Sequence, residues 1–342
     1  MKVADSAFFE HIRNYLCVYL PKVVVKKDTT ITCYRNIINR FLDYLKEAEK
    51  VSLAGICLAM FTAETLRCYL EWMVEVKGYA PTTRNQHLSC VRSLCRYVAS
   101  EDIAFMAEYA RMQELARLPV DTESGFIWLS REETALILGL PDATTTFGLR
   151  DLAYLTMLYD SAARDSELRG VRIGDIRRGG HCSIGVTGKG GKFRTIPISR
   201  EAAGILERYL EVFHADLTKD RYLFYTARCG VESAMSADNS ARINGKYEKL
   251  ARLDHPDIPH LHPHLWRHSR AQQLYQAGMP LPLLAEWLGH AQMETVHIYA
   301  RADTEMKRKA MEAAMGGKEP LVEPQTPVYN DDEILKKLYG LN

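Results

Sequence analysis

Long apolar runs are missing from these 342 residues. No stretch approaches the roughly 18 to 20 apolar residues that cross a bilayer. The N-terminus, MKVADSAFFEHIRNYL, interrupts its apolar pattern with charge and has no signal-peptide core. A cytoplasmic protein with neither span nor leader is therefore expected. Paired cysteine motifs are missing too. The eight cysteines are scattered, with no C-x-x-C, which speaks against a disulfide framework and against a cysteine zinc site. Six fall in the first hundred residues within helical apolar patterns, so buried thiols are expected.

Excess charge of either sign is also lacking. The net charge is +1, and residues 1–120 hold 16 Lys+Arg against 13 Asp+Glu. A polyanionic partner, if there is one, must be met by local patches and not by the field of the whole chain. Internal repeats and low-complexity segments are absent. What remains is an ordinary globular composition, 47% hydrophobic and 25% charged, long enough for two cores.

Residues 1–118 read as all-helical. SAFFEHIRNYLCVYL and TTITCYRNIINRFLDYLKEAEK carry apolar residues at helical spacing. TAETLRCYLEWMVEVKG runs from a threonine start to Gly78, and in YAPTTRNQHLSCVRSLCRYVAS Pro81 suits a first helical turn. A shorter helix is expected in AFMAEYARMQELARL, giving a bundle of four or five helices that begins directly at the N-terminus. LPVDTESGFIW, residues 118–128, breaks the periodicity, and residues 119–129 read as a linker. Residues 130–315 form a second domain. It opens with Ser130 and Glu133 in a capping box and continues through a long helix, a turn and a short helix. VRIGDIRR, HCSIGVTG and KFRTIPIS then switch to strand-like patterns around a hairpin at Gly188 to Lys192. Helices resume in EAAGILERYLEVF, RINGKYEKLARL, HLWRHSRAQQLYQAG, PLLAEWLGH and TEMKRKAMEAAM. Residues 316–328 read as a flexible linker. Residues 329–342 read as an amphipathic helix with Ile334, Leu335, Leu338 and Leu341 on one face.

Five of the eleven histidines crowd into HPDIPHLHPHLWRHSR: His255, His260, His262, His264 and His268. His264 and His268 have the i, i+4 spacing of helical zinc ligands. Arg267 stands between them, and a guanidinium beside a metal would repel it. An arginine beside a histidine suits an oxyanion instead, because its planar fork matches phosphate oxygens and stays charged. No metal and no cofactor are expected. His255, His260 and His262 read as loop residues.

HPHLWRHSRA resembles the H-x-L-R-H box of the tyrosine recombinases, the lambda-integrase-like enzymes. DSAARDSELRGV is similar to that family's first arginine box, with Arg164 and Glu167 in its arginine and acid positions. VTGKGGKFRTIPIS is similar to its lysine hairpin, with Lys189 at the lysine position. EWLGHAQMETVHIYAR is similar to its closing box, with His290 and, nine residues on, Tyr299. Four boxes in this order over about 135 residues make the likeness specific. It departs from the pattern at Trp266, where leucine is usual, and at Ser161-Ala162-Ala163, where glycine is usual.

The resemblance implies a mainly α, two-domain fold: a helical core-binding bundle and a mixed α+β catalytic domain with a small antiparallel sheet. It implies six catalytic positions, Arg164, Lys189, His264, Arg267, His290 and Tyr299. Two arginines can neutralise a phosphodiester's oxygens, and a cationic pocket favours the phenolate of a tyrosine nucleophile. His264 is the expected acceptor of the phenol proton, and Lys189 the donor to the departing oxygen. Glu167 would orient a pocket group and His268 would support the pocket from behind. The partner implied is double-stranded DNA, bound by a nucleoid-associated homo-oligomer: a dimer on each site, a tetramer in the synapse. Candidate DNA contacts are Lys26, Lys27, Thr29, Arg35, Arg84, Arg92, Arg96, Lys192, Arg194, Arg242 and Lys246. Arg84, Arg92 and Arg96 share one helix, while Lys192 and Arg194 equally suit plain exposure to water. The C-terminal helix is expected to dock in trans. Integration and excision of a mobile element is the leading biological reading. Chromosome-dimer resolution, DNA inversion and a type IB topoisomerase stand as alternatives, together with a catalytically inert DNA-binding protein.

Overall fold

The computed structural model describes residues 6–120, 126–179, 181–289, 296, 297, 299, 308 and 336–340, with Ser6, Ala7 and Lys189 described by their backbone alone. The chain falls into two compact units, Met1–Ser124 and Gly125–Asn342. Among the described residues it is mainly helical with two small antiparallel sheets, the fold class that the sequence implies. No helix among the described residues is long and apolar enough to cross a membrane.

The first unit is a bundle. Helix α1 (Ser6–Asn14) runs into a wider π-helical segment, Tyr15–Val23, that accommodates Pro21. Then come α2 (Asp28–Glu47), α3 (Ala63–Glu75), α4 (Pro81–Glu101) and α5 (Met106–Gln113). Thr62 caps α3 by accepting from the Thr65 amide, and Pro81 occupies the first turn of α4. The apolar stripe of α2 is buried as its spacing predicts, with Ile31, Ile38, Phe41 and Leu45 inside. An aromatic cluster of Phe41, Tyr44, Tyr69 and Trp72 closes one end of the core.

In the second unit α6 (Arg131–Gly139) starts with the expected Ser130–Glu133 capping box. Helix α7 (Thr146–Ser161) is the spine, and eleven of its sixteen residues are buried. It ends at Ala162, which takes a left-handed conformation (φ 50°), a geometry that glycine adopts without cost. Helix α8 (Asp165–Arg169) follows at once. Strands β1 (Ile176–Arg177), β2 (Ser183–Thr187) and β3 (Phe193–Pro197) form the three-stranded sheet, and the β2–β3 turn carries residues 188–192. After α9 (Arg200–Phe213) come β4 (Tyr225–Arg228) and β5 (Val231–Ala234), then α10 (Ala237–Asp254), α11 (Pro263–Gln276) and α12 (Leu281–Leu288). Trp266 of α11 is fully buried, and its indole N–H donates to Asn244 Oδ1 at 2.7 Å. The larger ring thus fills the core and keeps its polar atom satisfied.

Some expectations need correction. The β4–β5 hairpin escapes the sequence reading; Cys229 and Gly230 both take positive φ (51° and 76°), the two-residue turn that suits strand twist. Of the eight cysteines only Cys90, Cys95 and Cys182 are buried, while Cys17 and Cys229 are exposed. The end of the 119–129 segment is anchored, not free. Leu129 is buried, its amide donates to Ser269 Oγ at 2.8 Å, and its carbonyl accepts from Gln273. The expected helix in TEMKRKAMEAAM lies outside the described residues apart from Arg308. So does most of the C-terminal helix; within it Lys336–Gly340 is described, and Leu338 and Tyr339 are exposed.

Candidate active site

The site is assembled where two helices end. Both α7 and α12 finish with a left-handed residue, Ala162 and Gly289, so each leaves carbonyls pointing outward at the negative pole of its dipole. Arg267 of α11, 3% exposed, donates to Ala162 O and to Leu288 O, both at 2.6 Å. A buried guanidinium without partners would be costly; two helix C-termini supply the compensation. Burial, and next the nearby Arg164 charge, lower its pKa to about 10. It therefore remains a cation at neutral pH.

Arg164 precedes α8 and is held by Glu167, whose Oε1 accepts from Arg164 Nη1 at 2.7 Å and whose Oε2 accepts from the Arg164 amide at 3.0 Å. Burial alone would raise the Glu167 carboxyl. Hydrogen bonds from Arg194 and from the Arg164 amide and guanidinium outweigh it and hold the group down at about 2. Glu167 thus stays an anion and holds the Arg164 side chain and amide. His264 is exposed on the first turn of α11. Partial desolvation by the pocket wall and the charges of Arg267 and Arg164 lower its pKa, so the three groups share one electrostatic environment.

Tyr299 is fully buried. Its hydroxyl lies 3.1 Å from His268 Nδ1, and Phe126 meets both rings edge-on, 5.3 Å from Tyr299 and 5.1 Å from His268. Burial pushes the phenol up to about 12, against the opposing pull of the Arg267 charge. Burial, with the neighbouring His264 and Arg267, pushes His268 down to about 4, leaving a neutral imidazole at pH 7. The sequence reading gives the phenol to His264 and sets His268 behind the pocket. The structure joins His268 to the phenol, because position 268 lies one turn further along α11 and faces Phe126 and Tyr299. His290 and the side chain of Lys189 lie outside the described residues.

The remaining candidates scatter. Lys26, Lys27, Thr29, Arg35, Arg96, Lys192 and Arg242 are exposed. Arg84 donates to Ala116 O at 2.7 Å. Arg92 donates to Met112 O and Gln113 O at 2.8 and 2.9 Å, and also to Leu115 O. Both arginines thus bond carbonyls at and beyond the end of α5, a structural role beside the DNA contact expected of them. Lys246 pairs with Asp151 at 3.1 Å. Arg194 is mostly covered, its side chain 15% exposed, and is bound to Glu167 and Trp287. Of the other histidines, His260 bonds Glu248, and His262 caps α11 through its Nδ1. Pro263 at the first helical position is the signal of this start that the sequence displays. Phe126 gives no such signal, since a lone phenylalanine in a linker-like stretch does not disclose what it covers.

A helical bundle followed by a small mixed domain, with a buried arginine, a second arginine held by a carboxylate and a tyrosine on an imidazole, defines an enzyme class that works on phosphodiesters through a tyrosine. Comparison with known proteins narrows it. The phage integrase family matches residues 128–306, and the phage integrase N-terminal SAM-like domain matches residues 22–104. Tyrosine recombinase XerD of Chlorobaculum tepidum is 30% identical over 285 residues, 80% of this chain and 86% of the relative. Tyrosine recombinase XerC of Myxococcus xanthus is 30% identical over 280 residues, 80% and 87% of the two chains. Among solved structures, the Tn1549 transposon integrase in complex with a circular intermediate DNA shares the fold with a TM-score of 0.66 at 18% identity, over 90% of this chain and 98% of that one. XerH bound to its difH substrate gives 0.62 at 21% identity, over 82% and 78%. The chain belongs to the phage integrase family and is a tyrosine-type site-specific recombinase.

Proposed function

We propose that Tyr299 is the nucleophile that breaks one strand of a DNA duplex, and that the enzyme integrates and excises a mobile element. The observation that carries the chemistry is the buried Tyr299 phenol, bonded to a neutral His268 and within the field of the buried Arg267. Arg164 and Arg267 neutralise the nonbridging oxygens of the scissile phosphate and favour the charge that builds as it is attacked. The phenol oxygen forms a bond to phosphorus while the bond from phosphorus to the 5′ oxygen breaks. His268 receives the phenol proton, and Lys189 gives a proton to the leaving 5′ oxygen. His264 and His290 serve as hydrogen-bond partners of the phosphate. The product is a 3′-phosphotyrosyl link and a free 5′-hydroxyl. That link conserves the bond energy, so rejoining to another 5′-hydroxyl needs no ATP.

The exposed cations Lys26 and Lys27 precede α2 at the positive pole of its dipole, which favours a phosphate there. Arg35, Arg96, Lys192 and Arg242, all exposed, are the remaining contacts that we assign to DNA, and Thr29 can add a neutral hydrogen bond. A lambda integrase tetramer bound to a Holliday junction shares this fold, with a TM-score of 0.58 at 15% identity. This supports assembly of four subunits on paired sites. The segment 329–342, whose amphipathic pattern would make a helix too short to stand alone in water, would dock on a neighbouring subunit. The transposon integrase among the solved structures favours the mobile-element role, and the Xer relatives favour chromosome-dimer resolution as the second reading.

Nicked suicide duplexes carrying the DNA that flanks the gene separate these readings. A covalent adduct formed on the element's ends, and absent with Tyr299→Phe, is the expected result. Adduct formation only on a single chromosomal site would favour dimer resolution. An adduct that persists with Tyr299→Phe would overturn the nucleophile itself.

A further inference from the structure

We infer that Arg194 is a positioning residue that locks three catalytic segments into one register, and that it is not a DNA contact. The inference rests on the tyrosine-nucleophile reading above. Arg194 leaves β3 just past the hairpin that carries Lys189. Its Nη2 donates to Glu167 Oε2 at 2.8 Å, its Nη1 approaches Oε1 at 3.3 Å, and its Nε donates to Trp287 O at 3.0 Å. One planar fork therefore joins the lysine hairpin, the arginine box and the end of α12.

Each joint has a consequence. Glu167 is shared: the oxygens that receive Arg194 also receive the Arg164 guanidinium and amide. The direction in which Arg164 points is therefore set by an anion that Arg194 holds from the far side. At the other joint, the last carbonyls of α12 are divided between two arginines, Trp287 O to Arg194 and Leu288 O to Arg267. The turn that leads to position 290 starts from a doubly fixed end. Trp287 extends the network, its indole N–H donating to Ser161 O at 3.0 Å, next to the Ala162 carbonyl that anchors Arg267.

The surrounding glycines fit this geometry. A Cβ at Gly289 would sit 2.8 Å from Arg194 Nη1 and 2.9 Å from its Cζ, at a φ of +62°. A Cβ at Gly188 would come within 3.1 Å of Glu167 Oε1. The backbone is bare on both sides of the guanidinium, and the fork has no room to swing. A lysine could satisfy one carboxylate oxygen, but it could not span the carboxylate and the carbonyl together.

Single-turnover cleavage of a suicide duplex, measured beside duplex affinity, tests this. Arg194→Met should slow adduct formation about 10²-fold, the scale of a misplaced catalytic group, with affinity changed by less than about 2-fold and an unchanged salt slope. Arg194→Lys should recover part of the rate. In a Glu167→Gln background, Arg194→Met should add less than about 3-fold, because the two act through one joint. Melting curves screen each variant for folding. Should Arg194→Met fail to fold, Gly289→Ala, which keeps every charge but crowds the guanidinium, should still slow cleavage without weakening binding. Affinity and salt slope that fall in step with cleavage would overturn the inference in favour of a phosphate contact, and a wild-type rate would overturn it outright. Tyr299→Phe run in parallel separates this failure from failure of the nucleophile, since its adduct must vanish in either case.

Discussion

The hydroxyl of Tyr299 lies 3.1 Å from Nδ1 of His268, beneath the edge of Phe126. The phenol is pushed up to about 12 and the imidazole down to about 4. Both shifts come chiefly from burial, which disfavours either charged form. At rest the pair is therefore neutral, a protonated phenol against an imidazole free to accept. Closing a DNA phosphate over the site would bring Arg164 and Arg267 to bear on the developing charge, and the proton then has a place to go.

His268→Ala is accordingly expected to slow adduct formation roughly 10²-fold at pH 7, the usual size of a lost general base. The defect should shrink as pH rises towards the phenol's own range, where ionisation needs no acceptor. In the wild type, His268 stays neutral until pH approaches about 4, so this group imposes no loss of rate between pH 7 and 5. Single-turnover cleavage across pH 5 to 10 checks both statements. A His268→Ala variant as fast as wild type throughout would reduce the contact to packing.

Within the bundle, Arg92 supplies a contrast between structural and DNA-contacting arginines. Its three hydrogen bonds to Met112, Gln113 and Leu115 carbonyls tie the end of α5 to α4. Removing it takes a charged donor from all three, Met112 O alone keeping the Leu115 amide, and costs about 1–3 kcal/mol. Arg92→Ala should thus lower the unfolding midpoint in denaturant while leaving the salt dependence of DNA binding unchanged. Lys26→Ala or Lys27→Ala should do the reverse, with stability kept and the slope of log affinity against log salt reduced by about one. An Arg92→Ala variant of wild-type stability and reduced slope would return Arg92 to the DNA surface.

These contrasts also mark how far the sequence reaches. Periodicity locates α2, α3, α4, α7 and α11, because an amphipathic stripe and a cap are local properties of a segment. The four boxes point to Arg164, Arg267 and Tyr299, and the fold brings the three within one electrostatic environment. Partners across space are not written locally. Arg92 looks like any cation on a helix until α5 ends beneath it. Arg194 looks like a hairpin arginine until Glu167, 27 residues earlier, and Trp287, 93 residues later, close around it. Phe126 sits in a run of breaker residues, and only the fold lays it against Tyr299. The β4–β5 hairpin is not legible because its turn, Cys229-Gly230, carries a cysteine in place of the asparagine or aspartate that signals such turns.

The last expectation concerns stability and acid. His87 of α4 is 8% exposed, and its Nδ1 lies 2.6 Å from the hydroxyl of Tyr69. Burial, helped by the Arg40 charge, lowers its pKa to about 4. In the unfolded chain the ring titrates near 6.5. The folded value is the lower one, so between these values the unfolded state binds the extra proton, and stability falls as pH falls. The contribution is intact above about 6.5 and is lost progressively towards 4, to a limit of roughly 3 kcal/mol. His268, lowered in the same way, adds a second loss over the same window. His87→Gln removes one of the two. Denaturant unfolding of the full chain at pH 7.5, 6, 5 and 4.5 should show a shallower decline for His87→Gln than for wild type. Parallel declines would mean that the ring at position 87 is already charged in the fold, and that the bond to Tyr69 is made by an imidazolium.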